Sequence, residues 1–184
     1  MLSWLIGFSL GTVLGSFCDL LANRSLTQGS FWGRSHCMSC KKPLSWYDLF
    51  PIFSYLFLKG RCRYCQKTIA IEHLWVEIAM GILGVLLVST TTSPPQLVQG
   101  FFILVVAVAV FITDLKSGLI LDRITYPAII IAAILAPLTA SNILQSFLAG
   151  LVLPATFVAL IIITKGKGMG WGDVKFVLFI GIAL

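Results

Sequence analysis

Long apolar runs separated by short polar segments dominate the pattern of this chain. No Asp, Glu, Lys or Arg occurs in residues 78–113 or 124–164. Each run is long enough to cross a bilayer twice, because a spanning helix needs about 17–25 residues. Turn-forming residues lie in the middle of each run, at 89–96 and at 139–142. Each run therefore predicts a helical hairpin.

The whole pattern predicts six transmembrane helices and no internal repeat. The expected ranges are residues 1–22, 74–90, 97–114, 120–138 and 143–164, with a last helix that begins near residue 173. Because spanning takes about 20 residues, we expect this last helix to be truncated at Leu184. The predicted domains are a first transmembrane helix at 1–22, a polar loop domain at 23–71 and a transmembrane domain at 72–184.

The composition of the chain also indicates a membrane protein. Hydrophobic residues make up 58% of the chain, charged residues make up 11%, and the mean hydropathy is +0.98. These values lie outside the range of soluble globular domains, which cannot bury so much apolar surface. The sequence therefore predicts an all-α polytopic membrane protein.

The positive charges set the expected topology. All 13 Lys and Arg residues lie in segments 24–67, 116–123 and 165–175. By the positive-inside rule these segments are cytoplasmic, so the amino terminus is outside and the protein is multi-pass in the plasma membrane. The net charge of +6 then reflects topology and anionic lipid, and we expect no nucleic-acid partner.

The polar loop contains two CxxC motifs with the spacing of a metal site. Cys37 and Cys40 form the first motif, and Cys62 and Cys65 form the second. Four thiolates suit a tetrahedral structural zinc with no position open for water. Two disulfides are the alternative, which the reducing cytoplasm disfavours. His36 and His73 flank the motifs, and we expect surface or interfacial roles for both.

An aromatic cluster lies between the two CxxC motifs. Its members are Trp46, Tyr47, Phe50, Phe53 and Tyr55. Such side chains can stack on nucleobases, but beside a membrane they more readily act as interfacial anchors.

Two aspartates at the ends of apolar runs carry the candidate chemistry. Asp114 closes one run, and Asp173 begins the next. Ionisable groups at the edge of hydrocarbon are costly and usually functional. Two carboxylates that share a proton supply the acid and the base needed for peptide hydrolysis by water. The pair predicts an intramembrane aspartic protease, although each residue alone also suits a structural role: Asp173 as a helix N-cap, and Asp114 as a partner of Lys116.

Neighbouring residues are predicted to support this site. Gly170 and Gly172 allow close backbone approach before the last helix, and Lys175 either sets the local field or reaches a lipid phosphate. Asp122 suits the dipole at a helix start, so we interpret it as structural support, although it is the main rival for the second catalytic role.

Glu77 is a further candidate for site support. It lies about one turn inside the second predicted helix, where a carboxylate needs a partner. We expect that partner to be Arg24 or a bound cationic group.

Five motifs in order resemble the type IV prepilin peptidases, also called prepilin leader peptidase/N-methyltransferases, which are GxGD-type intramembrane aspartic proteases. The motifs are Gly15-Ser16-Phe17 with Arg24, the twin CxxC loop with Trp46-Tyr47-Asp48 and Gly60-Arg61-Cys62-Arg63-Tyr64-Cys65, Glu77, Asp114 with Asp122, and Gly170-Trp171-Gly172-Asp173-Val174-Lys175. Two departures are Leu121, where the family usually has proline, and Asp19, where asparagine is common.

The resemblance implies a specific activity. A prepilin or pseudopilin would be cleaved at its leader boundary on the cytoplasmic side, with Asp114 and Asp173 as catalytic residues. It also implies about eight helices, a cytoplasmic zinc domain and, in many members, methylation of the new amino terminus with S-adenosylmethionine. The alternatives are a zinc-stabilised scaffold of a pilus or secretion assembly without catalysis, and a transporter that uses its aspartates as a proton relay.

Overall fold

The computed structural model describes residues 2–31, 33–139, 143–166 and 168–184, and within them it contains seven α helices and no strand. A 3₁₀ helix over Trp46–Leu49 precedes the second of these helices. The helices are α1 (Leu2–Leu26), α2 (Phe53–Phe57), α3 (Glu72–Thr90), α4 (Pro94–Ser117), α5 (Asp122–Thr139), α6 (Ile143–Ile163) and α7 (Trp171–Ala183).

The all-α class is confirmed, and a helix occupies each of the six predicted ranges. Three helices, α1, α3 and α4, are long and apolar enough to cross a membrane. The predicted turn at 89–96 lies between α3 and α4, where Pro94 begins α4. Of the second predicted turn, residues 140–142 lie outside the described residues. The short helix α2 was not predicted, because five residues are too few for a helical pattern.

The chain divides into two compact units, Met1–Thr92 and Ser93–Leu184. In the first unit, α1 packs closely against α3. A Cβ atom added to Gly7 would lie 2.7 Å from the carbonyl oxygen of Gly84, and one added to Gly15 would lie 3.0 Å from the Cα atom of Glu77. Glycine is needed at these contacts because any side chain would collide with α3. Gly7, Gly11 and Gly15, spaced four residues apart on one face of α1, therefore all pack against α3.

The second unit contains α4 to α7, and α7 packs on each of the other three helices. Gly181 of α7 lies against α6, where an added Cβ atom would be 2.8 Å from the carbonyl oxygen of Ala149. Phe179 is fully buried and makes an edge-on contact with Phe102 of α4. These contacts fix the direction in which α7 leaves its first turn, which carries Asp173.

Candidate metal centre and candidate active site

The two CxxC motifs form two short hairpins with the same hydrogen bonds. The N–H of Cys37 donates to the carbonyl oxygen of Lys42 at 3.0 Å, and the N–H of Cys62 donates to that of Lys67 at 2.9 Å. The turns close at Lys41 and Gln66, which have φ angles of 58° and 57°. The hairpins are therefore a short internal repeat, contrary to our prediction of none. Their sequences share too few residues for the pattern to be evident.

The hairpins bring the four predicted thiols together. Their Sγ atoms all lie within 4.8 Å of one another, and those of Cys37 and Cys65 are 3.9 Å apart. A tetrahedral zinc with Zn–S bonds of about 2.3 Å separates its sulfur atoms by about 3.8 Å. None of these four cysteines forms a disulfide, so the structure contains neither alternative pairing. The donor set therefore fits a metal ion held by four thiolates.

Backbone N–H groups lower the pKa of one of these thiols. The N–H groups of Cys40 and Ser39 donate to the Cys37 sulfur and lower the pKa of its thiol to about 6. At Cys65 the N–H of Lys67 acts in the same sense, but burial and the three neighbouring thiols outweigh it and raise the pKa to about 11. A thiolate is the form that binds metal, and a cation is needed to bring all four thiols into that form.

An ion pair fixes the segment between the hairpins. Asp48 is buried, and its Oδ1 accepts a hydrogen bond of 2.7 Å from Arg63 Nε, which belongs to the second CxxC motif. Its Oδ2 accepts the N–H of Ser45 at 3.2 Å, and the Arg63 guanidinium lies over the Tyr47 ring. The 3₁₀ helix is thereby joined to the metal-binding hairpin. Sequence reasoning missed this role of Asp48 and Arg63, because nothing in their spacing marks them as partners.

Glu77 binds the same segment, and the prediction of Arg24 as its partner is wrong. Its Oε2 accepts the N–H of Ile52 at 2.7 Å. Arg24 instead donates to the carbonyl oxygens of Phe31 and Gly33. Ile52 has φ 62° and ψ −54° in a γ-turn closed by the N–H of Phe53, a strained conformation for a β-branched residue. The partner of the Glu77 carboxylate is therefore a backbone N–H and not Arg24.

Asp19, which replaces the family's common asparagine, has a partner within the first unit. Its Oδ2 contacts Nδ1 of His73, and its Oδ1 accepts a hydrogen bond of 3.4 Å from Asn23 Nδ2. Asp19 is buried between α1 and the start of α3. Asp19 therefore contacts an imidazole, and His73 joins the start of α3 to α1.

Both candidate catalytic aspartates lie at helix ends of the second unit. Asp114 is exposed in the last turn of α4, and its carbonyl oxygen accepts the N–H of Gly118, which ends the helix at φ 65°. Its carboxylate makes no hydrogen bond or ion pair with another described residue. Asp173 is half-buried in the first turn of α7, where its Oδ2 accepts the N–H of Gly170 at 3.0 Å. This bond helps to cap α7, in partial agreement with the structural role weighed for Asp173.

The glycines before Asp173 have different surroundings. A Cβ atom at Gly172 would lie 2.8 Å from Cβ of Ile120, in the loop between α4 and α5. At Gly170, which has φ −90°, an added Cβ atom would lie 3.6 Å from its nearest neighbour, Asp173 Oδ2. Close approach is therefore required at Gly172 only. This contact brings the first turn of α7 against the loop that follows Asp114.

Lys175 joins α7 to α5. Its Nζ donates to Asp122 Oδ1 at 2.6 Å and lies 4.9 Å from the centre of the Tyr126 ring. The lysine therefore neutralises Asp122, the rival catalytic carboxylate, and does not contact Asp173.

Comparison with known proteins gives curated relatives over nearly the whole chain, each named prepilin leader peptidase/N-methyltransferase. The relative from Bacillus subtilis is 32% identical over 192 residues, covering 96% of this chain and 72% of the relative. The relative from Vibrio cholerae is 29% identical over 195 residues, covering 97% and 76%. For Aeromonas salmonicida, 30% identity over 153 residues covers 80% of the chain and 53% of the relative. The chain thus spans about half the length of the Aeromonas protein. No solved structure matches it.

Fold and site together define a helical protein with a cluster of four thiols that could hold a metal ion and with two aspartates at helix ends of its second unit. The model of the bacterial peptidase A24 N-terminal domain matches residues 9–91, and that of the type IV leader peptidase family matches residues 101–184. The chain belongs to the type IV leader peptidase family. The resemblance stated from the five motifs is thereby confirmed, and with it the class of enzyme, a prepilin peptidase.

Proposed function

We propose that this chain is a membrane aspartic endopeptidase that removes the leader peptide of type IV prepilins or pseudopilins at the cytoplasmic face. The observation that carries the proposal is the contact of Gly172 with Ile120. It joins the segment that follows Asp114 to the turn that carries Asp173. Family membership supplies the substrate class.

Asp114 and Asp173 are the proposed catalytic residues. One carboxylate takes a proton from water, while the other, protonated, donates a hydrogen bond to the scissile carbonyl group. The roles exchange as the tetrahedral intermediate collapses and the leaving amine takes up a proton. The exposed Asp114 carboxylate and the Asp173 oxygen that does not cap α7 are available for this chemistry. Asp122 pairs with Lys175 and is proposed to support the site.

The loop domain is proposed to hold a structural zinc at Cys37, Cys40, Cys62 and Cys65. The ion would fix the two hairpins to each other, and the four thiolates leave no position for a substrate. In this proposal the domains are the first transmembrane helix at 1–22, the cytoplasmic zinc domain at 23–71 and the transmembrane peptidase domain at 72–184.

The proposed topology follows from the charge pattern. Six of the helices, α1 and α3 to α7, would belong to the membrane part of a multi-pass plasma-membrane protein, with the amino terminus outside. The three basic segments would face the cytoplasm. The loop after α4 and the first turn of α7 then share the cytoplasmic side with the zinc domain.

Methylation of the new amino terminus is a second proposed activity. Its support is the name N-methyltransferase that the curated relatives carry. S-adenosylmethionine would be the methyl donor. We assign no residue of this chain to that donor.

Replacement of each aspartate tests the peptidase. Membranes with the wild-type chain, Asp114→Asn, Asp173→Asn or the control Asp122→Asn are incubated with a candidate prepilin, and leader removal is followed by mass spectrometry. We expect cleavage by the wild type and the control and none by the other two variants. An added methyl mass on the mature product would establish the second activity. Equal cleavage by all four chains would contradict the assignment, and cleavage by none would favour a scaffold without catalysis.

A further inference from the structure

The segment between the two CxxC hairpins presents a large apolar surface. We call residues 46–57 the aromatic plate. Its exposed apolar side chains are Trp46, Tyr47, Leu49, Phe50, Phe53, Leu56 and Phe57. Phe57 is 84% exposed and Trp46 is 74% exposed, and no residue of α2 is buried. Trp46 makes edge-on contacts with Tyr47 and Phe50, and so large an exposed apolar area in one short segment indicates an interaction site.

The aromatic plate is fixed in position rather than loosely attached. The Asp48–Arg63 pair joins its first half to the second hairpin, and the Ile52–Glu77 bond joins its middle to α3. Tyr55 donates to the carbonyl oxygen of Ile69 at 3.4 Å. Polar contacts therefore hold the backbone of the plate in place, while its apolar side chains remain exposed.

The contact with Glu77 sets the level of the aromatic plate along α3. Glu77 is five residues after the first residue of a helix that can cross a membrane, which is about 7.5 Å along its axis. Trp75, which is 60% exposed, lies in the same part of α3. Tryptophan is typical of the boundary between headgroups and hydrocarbon. The middle of the plate is therefore held beside the end of α3 that carries Trp75.

We infer that the aromatic plate inserts into the headgroup–hydrocarbon boundary of the lipid bilayer that α1 and α3 cross. Lipid is favoured over a protein partner because the plate is held at the depth of that boundary. Lys59, which follows the plate, is exposed, and so is Arg61. These cations suit anionic headgroups beside an inserted aromatic surface. The strained turn at Ile52 is then the point at which a membrane helix positions the plate.

Photo-crosslinking in vesicles identifies what covers the plate. The full chain carries p-benzoylphenylalanine in place of Phe57 or, as a control, in place of Met38, which is 66% exposed in the first hairpin. Vesicles contain phosphatidylethanolamine and phosphatidylglycerol, with or without a candidate prepilin, and adducts are identified by mass spectrometry. We expect several-fold more lipid adduct at position 57 than at position 38, whether or not prepilin is present. Adducts at position 57 with prepilin, or within the chain itself, would overturn the inference.

Fluorescence quenching gives a second measurement that needs no photoreactive residue. Emission of the wild type and of Trp46→Phe is compared in the same vesicles with and without acyl-brominated lipid, and the difference isolates Trp46. Several-fold loss of the Trp46 emission is expected. Emission that bromine leaves unchanged would place Trp46 away from hydrocarbon and refute the inference. Neither measurement depends on peptidase activity.

Discussion

Lys175 and Asp122 form an ion pair of 2.6 Å that joins the first turns of α7 and α5. Both side chains are partly exposed, so solvent screens the pair and it contributes little to stability. We expect Asp122→Asn to lower the melting temperature only slightly in detergent and to retain most prepilin cleavage. Loss of cleavage as complete as that of Asp173→Asn, without unfolding, would make Asp122 the catalytic carboxylate.

The two motif glycines should respond differently to alanine. Gly172→Ala places a Cβ atom against Ile120 and is expected to cost about 1–3 kcal/mol, although alanine normally favours a helix by about 1 kcal/mol. Gly170→Ala meets only ordinary contacts and should be near neutral. Thermal unfolding and cleavage by the two variants check this, and equal losses at both positions would argue against the observed packing.

Glu77 should act through the turn at Ile52. Glu77→Ala leaves the Ile52 N–H without this acceptor, at an expected cost of about 1–3 kcal/mol, and Glu77→Gln should cost less because it retains an oxygen. The measurement is the rate of limited proteolysis within residues 45–60.

Ile52 itself provides a separate check on strain. Ile52→Gly relieves the positive φ angle, whereas Ile52→Ala retains the strain, so glycine should give the more protease-resistant loop. A more resistant alanine variant would show that the turn is not strained.

Loss of one thiol from either hairpin should abolish metal binding to the same extent. Cys40→Ser and Cys65→Ser occupy equivalent positions and should both abolish zinc retention, measured by elemental analysis of the purified chain, and should expose the loop to protease. A chelator should do the same to the wild type, reversibly. Cys18→Ala, in α1, is the matched control and should retain the metal. Full zinc content in either serine variant would refute a four-thiolate site.

The α1–α3 contact should be intolerant of small additions. A Cβ atom at Gly11 would overlap the carbonyl oxygen of Met80, so Gly11→Ala should cost about 1–3 kcal/mol or more. Leu10→Ala removes more atoms, but from a side chain that is 48% exposed, and should cost less. Thermal unfolding followed by circular dichroism measures both, and the reverse order would contradict close packing.

The sequence predicted the six long helices and the four thiols because each rests on local chemistry. Apolar runs interrupted by turn residues define helices such as α3 and α4, and the CxxC spacing is itself a metal-ligand pattern. The partners of Glu77 and Asp19 could not be predicted in this way, because they are groups distant in sequence that only the fold brings close. A strained γ-turn at Ile52 has no sequence signature, so its N–H could not be predicted as the partner of Glu77.

In the candidate active site, too, the sequence identified residues but not the groups that they contact in the fold. The motif identified Asp173 and both glycines, but not that Gly172 alone packs against Ile120. The predicted roles of Lys175 were a source of local positive field or a contact with a lipid phosphate. Its hydrogen bond to Asp122 was not predicted, because only the packing of α5 against α7 brings the two side chains together.

The close packing of α1 against α3 also affects the chain between them. Both ends of the loop domain are held by a helix pair whose backbones touch, and the two hairpins contribute equally to one metal site. A single cut within the aromatic plate would leave each fragment with one helix of that pair and two of the four thiols. With the proposed zinc bound, we expect the two halves to remain one particle, because the α1–α3 contact and the four thiols would both join them.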